Sequence, residues 1–265
     1  MNRRAFLTTA AALPLAARPE PGTQEPRTQE PATSLPATSL PDMFPMQAPA
    51  MVREMVVVSH GNAKRVRELV EAHPALARAA IDWGFGDWED ALGAASHTGN
   101  REIADYLISR GARPTIFSAA MLGQLDAVKA FIAATPGAQR IGGPHSISLL
   151  SHAKAGGAAA AAVYEYLERL GDAGGPPNEP LSDADKAALA GAYVFGTGPM
   201  DRFDVTIDKG AVMIQRPGMP YARALFHLGD RAFFPAGAAA VRIRFAGTVL
   251  TVHDPDPVVT ATKRS

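Results

Sequence analysis

The sequence contains no cysteine. This absence excludes disulfide bonds, thiolate metal ligands, a cysteine nucleophile and a cysteine-linked lipid anchor, and it is compatible with either redox compartment. The chain also lacks a surplus of charge, because 26 Lys and Arg residues balance 26 Asp and Glu residues. Proteins that bind nucleic acid normally carry a basic excess or a basic stripe, so we expect no nucleic-acid partner.

The motifs of several common enzyme classes are also absent. The chain has no G-x-S-x-G nucleophile elbow, no P-loop, no H-E-x-x-H zinc motif and no dinucleotide-binding glycine fingerprint between a strand and a helix. We therefore predict no catalytic residues, no cofactor and no metal site, and we expect a protein that is not an enzyme. A catalytic site assembled from residues far apart in the sequence remains an open alternative.

A basic N-terminus is followed by a short apolar run. Residues 2–7, Asn-Arg-Arg-Ala-Phe-Leu, resemble the twin-arginine export motif, and small residues at Ala16 and Ala17 offer a cleavage site. The run is shorter than the roughly 20 apolar residues of a membrane-spanning helix. We predict an export signal over 1–17, a periplasmic or extracellular location and no stable membrane span after cleavage. Asn2 and Thr8 depart from the motif and leave the general secretory route open, and a basic cytosolic N-terminus is the alternative.

Residues 18–49 are rich in proline, threonine, glutamate and glutamine, and the sequence PATSL occurs there twice in succession. Such a composition offers too little apolar surface to offset the entropy of ordering the chain. We predict a disordered linker, with a rigid stalk or a glycosylated segment as alternatives.

Helical periodicity begins near Met51 and is clearest over 91–114. Apolar residues there form a short helix, residues 97–100 supply a turn, and a second apolar face recurs at 103, 104, 107 and 108 before Gly111. Weaker copies before and after this unit bring the total to about four. The pattern predicts stacked helix pairs over 50–174, followed by a linker over 175–185.

The clearest unit resembles an ankyrin repeat. Residues 90–95 (DALGAA) stand where that family has T-P-L-H-x-A-A, residues 97–100 match its turn, residues 103–108 its second helix and residues 110–112 its closing x-G-A. The resemblance implies an α-solenoid that presents a protein-binding surface. It also implies that the insert at 80–89 is a finger loop beside a binding groove.

Alternating apolar residues replace the helical period after residue 192. Residues 203–207 and 211–215 predict one hairpin, residues 241–245 and 249–253 a second, and about seven strands fit into 186–265. Residues 189–193, 203–205 and 212–215 resemble the small lipocalin-like domain appended to exported bacterial hydrolases. The predicted fold class is therefore α+β multidomain: an ankyrin-repeat α-solenoid followed by a small antiparallel β-barrel or curved sheet.

The seven histidines do not show the spacing of a helical metal site. His60 and His97 both fall at predicted repeat turns, where hydrogen bonding in the turn is the commoner explanation than metal ligation. His253, followed by Asp-Pro-Asp, is interpreted in the same way as a polar strand end.

Two functional hypotheses follow, and both assume an exported protein. The first is a non-catalytic scaffold that binds an unknown protein partner through a contact surface made by Trp83, Phe85, Trp88, His97 and Thr98. The tryptophans have two other interpretations, which are caps of the helical stack and a platform for a carbohydrate ligand. The second hypothesis is a small apolar ligand or glycan held in the β-domain, in a cavity lined by Phe203, Phe233, Phe234 and Phe245.

Overall fold

The computed structural model describes residues 45–264. The predicted export signal at 1–17 and almost all of the predicted linker at 18–49 lie outside these residues. The helices and strands below belong to one compact unit from Met43 to Ser265. Within residues 45–264 no helix is both long enough and apolar enough to span a bilayer.

Nine α-helices form the larger, N-terminal share of the described residues. They are α1 (Pro49–Val58), α2 (Ala63–Ala72), α3 (Ala91–His97), α4 (Arg101–Ser109), α5 (Ile116–Met121), α6 (Leu125–Ala134), α7 (Leu149–Ala155), α8 (Ala161–Leu170) and α9 (Asp183–Leu189). Five helices have an N-cap residue whose side-chain oxygen accepts a backbone N–H of the first turn. These residues are Asn62, Asp90, Thr115, Ser148 and Ser182. Among the first eight helices, each odd-numbered helix packs against the helix that follows it.

The insert at 80–89 forms a β-hairpin. Strand β1 (Ala80–Asp82) pairs antiparallel with β2 (Trp88–Asp90), with Ile81 opposite Glu89. Gly84, Phe85 and Gly86 all have positive φ at the tip, where glycine relieves the steric cost. Strand β2 runs directly into α3, so the hairpin is fixed to the start of that helix.

The remaining eight strands close into an antiparallel barrel in the order β10-β3-β4-β5-β6-β7-β8-β9. They are β3 (Gly191–Val194), β4 (Arg202–Asp208), β5 (Ala211–Gln215), β6 (Arg223–His227), β7 (Ala232–Pro235), β8 (Arg242–Ala246), β9 (Val249–His253) and β10 (Pro257–Lys263). Both predicted hairpins are present, as β4–β5 and β8–β9, and the prediction of a β-barrel is confirmed. Buried side chains from the strands, including Phe233 and Ile243, pack into one core cluster.

The predicted fold class as a whole is wrong. The described residues contain nine helices and a closed eight-stranded barrel that dominates the C-terminal part, which is not an ankyrin α-solenoid followed by a small domain. Glycine turns and amphipathic second helices are features of any helix hairpin. They therefore produced a local resemblance to an ankyrin repeat without specifying the ankyrin fold. The connections between the pairs differ, because one is the 80–90 hairpin and another contains 3₁₀ turns at Ala138–Arg140 and Pro144–Ser146.

Buried polar contacts join the helical part to one end of the barrel. Strand β6 begins and β7 ends at this rim, since Leu225 pairs with Pro235. Arg223 at the start of β6 reaches Asp87 in the hairpin, and the backbone N–H of Gly237 donates to Ser146. The hairpin and the 144–146 turn are therefore held where the helices meet the barrel rim.

Candidate metal centre

Three histidines and one glutamate converge at this junction. His60, Glu89, His97 and His145 each offer one ligand atom, and these atoms lie within 4.8 Å of one another. The carboxylate of Glu89 is at the middle of the group. Its Oε1 is 2.8 Å from His97 Nε2 and 3.7 Å from His60 Nε2, and its Oε2 is 3.5 Å from His145 Nε2.

Each ligand atom is positioned by a different element. Glu89 lies on β2, and His97 is the last residue of α3. Asp90, which follows Glu89 directly, caps the start of α3. His60 lies in the turn after α1, and the side-chain amide of Asn100 donates to the His60 carbonyl oxygen at 2.6 Å. His145 lies in the 3₁₀ turn before α7 with φ of 58°.

The second ring nitrogen of two histidines is held by acceptors. His60 Nδ1 lies 3.1 Å from the carbonyl oxygens of both Val56 and Val57, and carbonyl oxygens only accept, so this nitrogen carries the proton. His145 Nδ1 lies 2.8 Å from Asp87 Oδ2. Such partners fix the tautomer and orientation of metal-ligating histidines and leave Nε2 free to bind.

The glutamate at the centre is fully buried and charged. Trp83 Nε1 donates to its Oε2 at 2.7 Å. Burial by itself raises the pKa of Glu89, but hydrogen bonds from His145 and His97 outweigh burial and bring the pKa to about 2. Burial likewise opposes the charge on His145, yet hydrogen bonds to Asp87 and Glu89 raise the pKa of His145 to about 9. Without a metal ion, the pair is thus a half-buried imidazolium and a fully buried carboxylate.

Asp87 links the centre to the barrel. Its Oδ1 accepts the backbone N–H of His145 at 2.9 Å, and its Oδ2 accepts Arg223 Nη1 at 2.8 Å. Arg223 is itself buried, and its other contacts are the Ala236 carbonyl oxygen and the Tyr221 hydroxyl. Burial raises the pKa of Asp87, but its bonds with His145 and Arg223 outweigh burial, so the net shift is downward.

The centre is reachable from a cavity. His60 and His145 line a cavity of about 570 Å³, together with Trp83, Tyr221 and Arg223. Another cavity, of about 420 Å³, is lined by Asp87 and Glu89. Small-molecule sites occupy about 300–1,000 Å³, so both cavities are of that size.

The donor set fits a borderline divalent transition metal ion. Imidazole and carboxylate suit Zn²⁺ and its neighbours, and ligand atoms about 2.0–2.1 Å from Zn²⁺ lie roughly 3.4 Å apart around a tetrahedron. The separations of 2.8 and 3.7 Å from Glu89 Oε1 to His97 and His60 lie on either side of that value. His145 lies 3.5 Å from the other oxygen, Oε2, and the donor atoms of the whole group lie within 4.8 Å of one another. An ion held there would be a Lewis acid in contact with the cavity.

The comparisons with known proteins assign no function to this chain. No protein-family model, no curated protein and no solved structure matches this chain. The donor atoms, their burial and their partners are therefore the basis for any functional assignment.

The residues predicted as a contact surface divide into two groups. Phe85 and Trp88 are exposed, and Trp88 keeps 64% of its surface in solvent. Thr98 is also exposed and donates to the Ala94 carbonyl oxygen. Trp83 is only 8% exposed, and it and His97 both contact Glu89, so these two belong to the buried centre instead.

Sequence reasoning favoured turn hydrogen bonds for His60 and His97 and gave Glu89 and His145 no role. The structure shows the turn bond of His60 and also shows that both histidines face Glu89. The sequence signal that could have indicated the site was the occurrence of His60 and His97 at equivalent repeat turns, together with the acidic Glu89 in the insert before His97. Nothing in the sequence spacing indicated His145.

His152 lies beside the centre and predicts a pH-dependent stability. It is fully buried, its Nδ1 donates to the Ser148 carbonyl oxygen, and its Nε2 has no partner among the described residues. Burial lowers the pKa of His152 from 6.5 to about 4; the Ser148 hydrogen bond opposes this shift, and His97 adds to it. The unfolded chain therefore binds more protons between these values, and stability falls as pH drops through that window.

We expect His152→Asn, which keeps a donor for Ser148, to remove this component. Urea unfolding of the metal-free chain at pH 7.5 and pH 4.5 should show a pH-dependent loss smaller by up to about 3 kcal/mol in the variant. Equal losses in the two proteins would contradict a neutral, buried His152.

Proposed function

We propose that the protein binds one divalent transition metal ion of the Zn²⁺ class through His60, Glu89, His97 and His145. The observation that carries the proposal is the convergence of three imidazole Nε2 atoms on one buried carboxylate. A carboxylate–histidine–metal arrangement also explains the bond from His145 to Asp87.

The competing explanation is a buried hydrogen-bonded cluster that serves stability alone. It accounts for His97 and His145, which lie in hydrogen-bond or ion-pair range of Glu89. It does not account for His60, whose Nε2 also faces Glu89 at 3.7 Å while its Nδ1 is already satisfied by backbone carbonyl oxygens. Three rings around one carboxylate exceed what charge compensation requires, since a single imidazolium neutralises it.

The N-terminal motif is consistent with this proposal. Residues 2–7 resemble a twin-arginine signal, and such a signal implies that the protein folds before export. A protein that folds before export can take up its metal ion in the cytoplasm. We propose on the same ground that the chain is exported. Substitution of Arg3 and Arg4 by lysine, with fractionation of the producing cells, tests this proposal directly, because loss of the exported pool is the expected result.

Metal binding is tested by titration of the metal-free full chain. We expect one Zn²⁺ or Co²⁺ per chain by elemental analysis and calorimetry, with proton release because His145 must lose its proton to ligate. His97→Ala should weaken binding by about 100-fold or more, since it removes one of four ligands. His253→Ala is the matched control, because His253 lies on β9 outside the cluster.

Two results would overturn the proposal. One is the absence of stoichiometric metal from a folded full-length chain titrated near neutral pH. The other is equal weakening by His97→Ala and His253→Ala, which would indicate adventitious binding to surface histidines. Circular dichroism of each variant separates loss of ligation from loss of the fold.

A second candidate function is the binding of a protein partner outside the cytoplasm. The specific observation that favours it is the exposed pair Phe85 and Trp88 on the hairpin. Combined Phe85→Ser and Trp88→Ser substitution should abolish capture of a partner cross-linked in the exported fraction while metal affinity stays unchanged. Capture that survives this change would remove the hairpin from consideration as a contact surface.

A further inference from the structure

The cavity beside the metal centre has an apolar cavity as its neighbour. The first, of about 570 Å³, has His60 and His145 in its wall. The second, of about 270 Å³, is lined by apolar side chains that include Phe85, Phe203, Met219 and Pro220. Trp83, Tyr221 and Arg223 line both cavities, so the two share one wall.

The shared wall brings an apolar surface next to the metal ligands. The Trp83 ring packs edge-on against Tyr221 with centroids 5.3 Å apart, and the Tyr221 ring lies 5.8 Å from that of His145. The apolar cavity opens at the rim of the barrel, because Phe203 lies near the start of β4 and Ile214 near the end of β5. The cavity that has His145 in its wall and the apolar cavity are therefore neighbours at this end of the barrel.

The charges near the centre favour an anionic group at the metal end. With a divalent ion bound and the histidines neutral, Glu89 and Asp87 supply two negative charges, whereas the ion and Arg223 supply three positive ones. The neighbouring Asp90 and Arg53 add one charge of each sign, so the net charge stays positive. Glu89, Asp87 and Arg223 are buried, so the remaining positive charge is less screened than it would be at the surface. A carboxylate-type oxygen matches this charge, and it would add to the four protein donors as a fifth ligand, a coordination number to which Zn²⁺ sites expand.

We propose that this double cavity binds a small amphipathic molecule whose anionic oxygen head group ligates the metal ion and whose apolar group occupies the cavity between Phe203 and Met219. The proposal rests on the proposed function, since the head group needs the metal ion. It assigns the ligand class and makes Met219 a residue that determines affinity for the apolar group.

Two hydroxamates that differ only in their alkyl groups test the proposal on the Co²⁺-loaded full chain. Acetohydroxamate and hexanohydroxamate carry the same metal-binding head, and visible absorption of Co²⁺ reports ligation of the ion. Each buried methylene contributes up to about fourfold in affinity, so we expect hexanohydroxamate to bind at least about tenfold more tightly. Both compounds should change the Co²⁺ spectrum.

A matched pair of variants locates the alkyl group. Met219 and Ile207 are each 41% exposed, and only Met219 lines the apolar cavity. Met219→Asp should reduce the advantage of hexanohydroxamate to less than about threefold, because a carboxylate is then placed against the alkyl chain. Ile207→Asp, on β4, should leave the advantage unchanged.

The outcomes distinguish failure of the ligand proposal from failure of the metal-binding proposal on which it rests. If the chain binds no Co²⁺, the metal assignment fails and this proposal fails with it. If Co²⁺ binds but the two hydroxamates have equal affinities, or if Met219→Asp and Ile207→Asp behave alike, the metal assignment stands and the ligand class is wrong. A Co²⁺ spectrum that neither hydroxamate alters shows that the ion is closed to ligands, which also overturns the proposal.

Discussion

Asp87→Ala is expected to lower the free energy of unfolding of the metal-free chain by about 3–5 kcal/mol, the usual cost of breaking a buried ion pair by removing one partner. Arg223 is only 6% exposed, and without Asp87 its guanidinium would keep just the Ala236 carbonyl oxygen and the Tyr221 hydroxyl. The Nδ1 atom and the backbone N–H of His145 would lose their acceptors at the same time. Urea unfolding followed by circular dichroism measures the change.

The control for this substitution is Asp105→Ala on the exposed side of α4, which we expect to change stability by no more than about 0.5 kcal/mol. Combining Asp87→Ala with Arg223→Ala completes a double-mutant cycle. Because removing both charges leaves neither one unpaired, the double variant should be more stable than the sum of the single changes implies. Strict additivity would mean that the pair does not join the helices to the barrel energetically.

The barrel was accessible to sequence reasoning because its signal is local. Alternation in 203–207 and 241–245 has the period of a strand with one buried face, and short polar turns follow each stretch. The second helix of each pair shows the same locality, since α2 and α4 bury Val66, Leu69, Ile103 and Leu107 at helical spacing. Sequence reasoning left open whether the strands close into a barrel or form a curved sheet.

The arrangement of the helices and the candidate site were not accessible in this way. The solenoid was inferred from a turn glycine and one strong unit, but those residues specify a helix hairpin and not how hairpins stack or what joins them. The centre depends on contacts across long stretches of chain, such as Asp87 with Arg223 and His145 with Glu89. A histidine at a turn gives no indication of what its outer nitrogen faces until the neighbouring turns are placed beside it.

Phe233→Ala is expected to cost about 3–5 kcal/mol of unfolding free energy, because it leaves a cavity in a filled barrel. Phe233 is fully buried, and its ring packs at 4.8 Å from His227 and at 5.4 Å, edge-on, from Phe245. The matched control is Phe226→Ala on β6, whose ring is half-buried and stacks on Phe234 at 5.0 Å. We expect the control to cost less than half as much, as measured by urea unfolding.

The same measurement decides between two places for an apolar ligand. A cost for Phe233→Ala below about 1 kcal/mol would mean that the barrel interior tolerates an empty volume of that size, and a ligand inside the barrel would then become the better hypothesis. A large cost means that the interior is already filled by its own side chains, so an apolar group has to bind at the rim. The rim is where Phe203 and Met219 line the apolar cavity, which shares a wall with the cavity lined by His145. In that case Phe233→Ala should also leave the preference for hexanohydroxamate intact in whatever fraction remains folded.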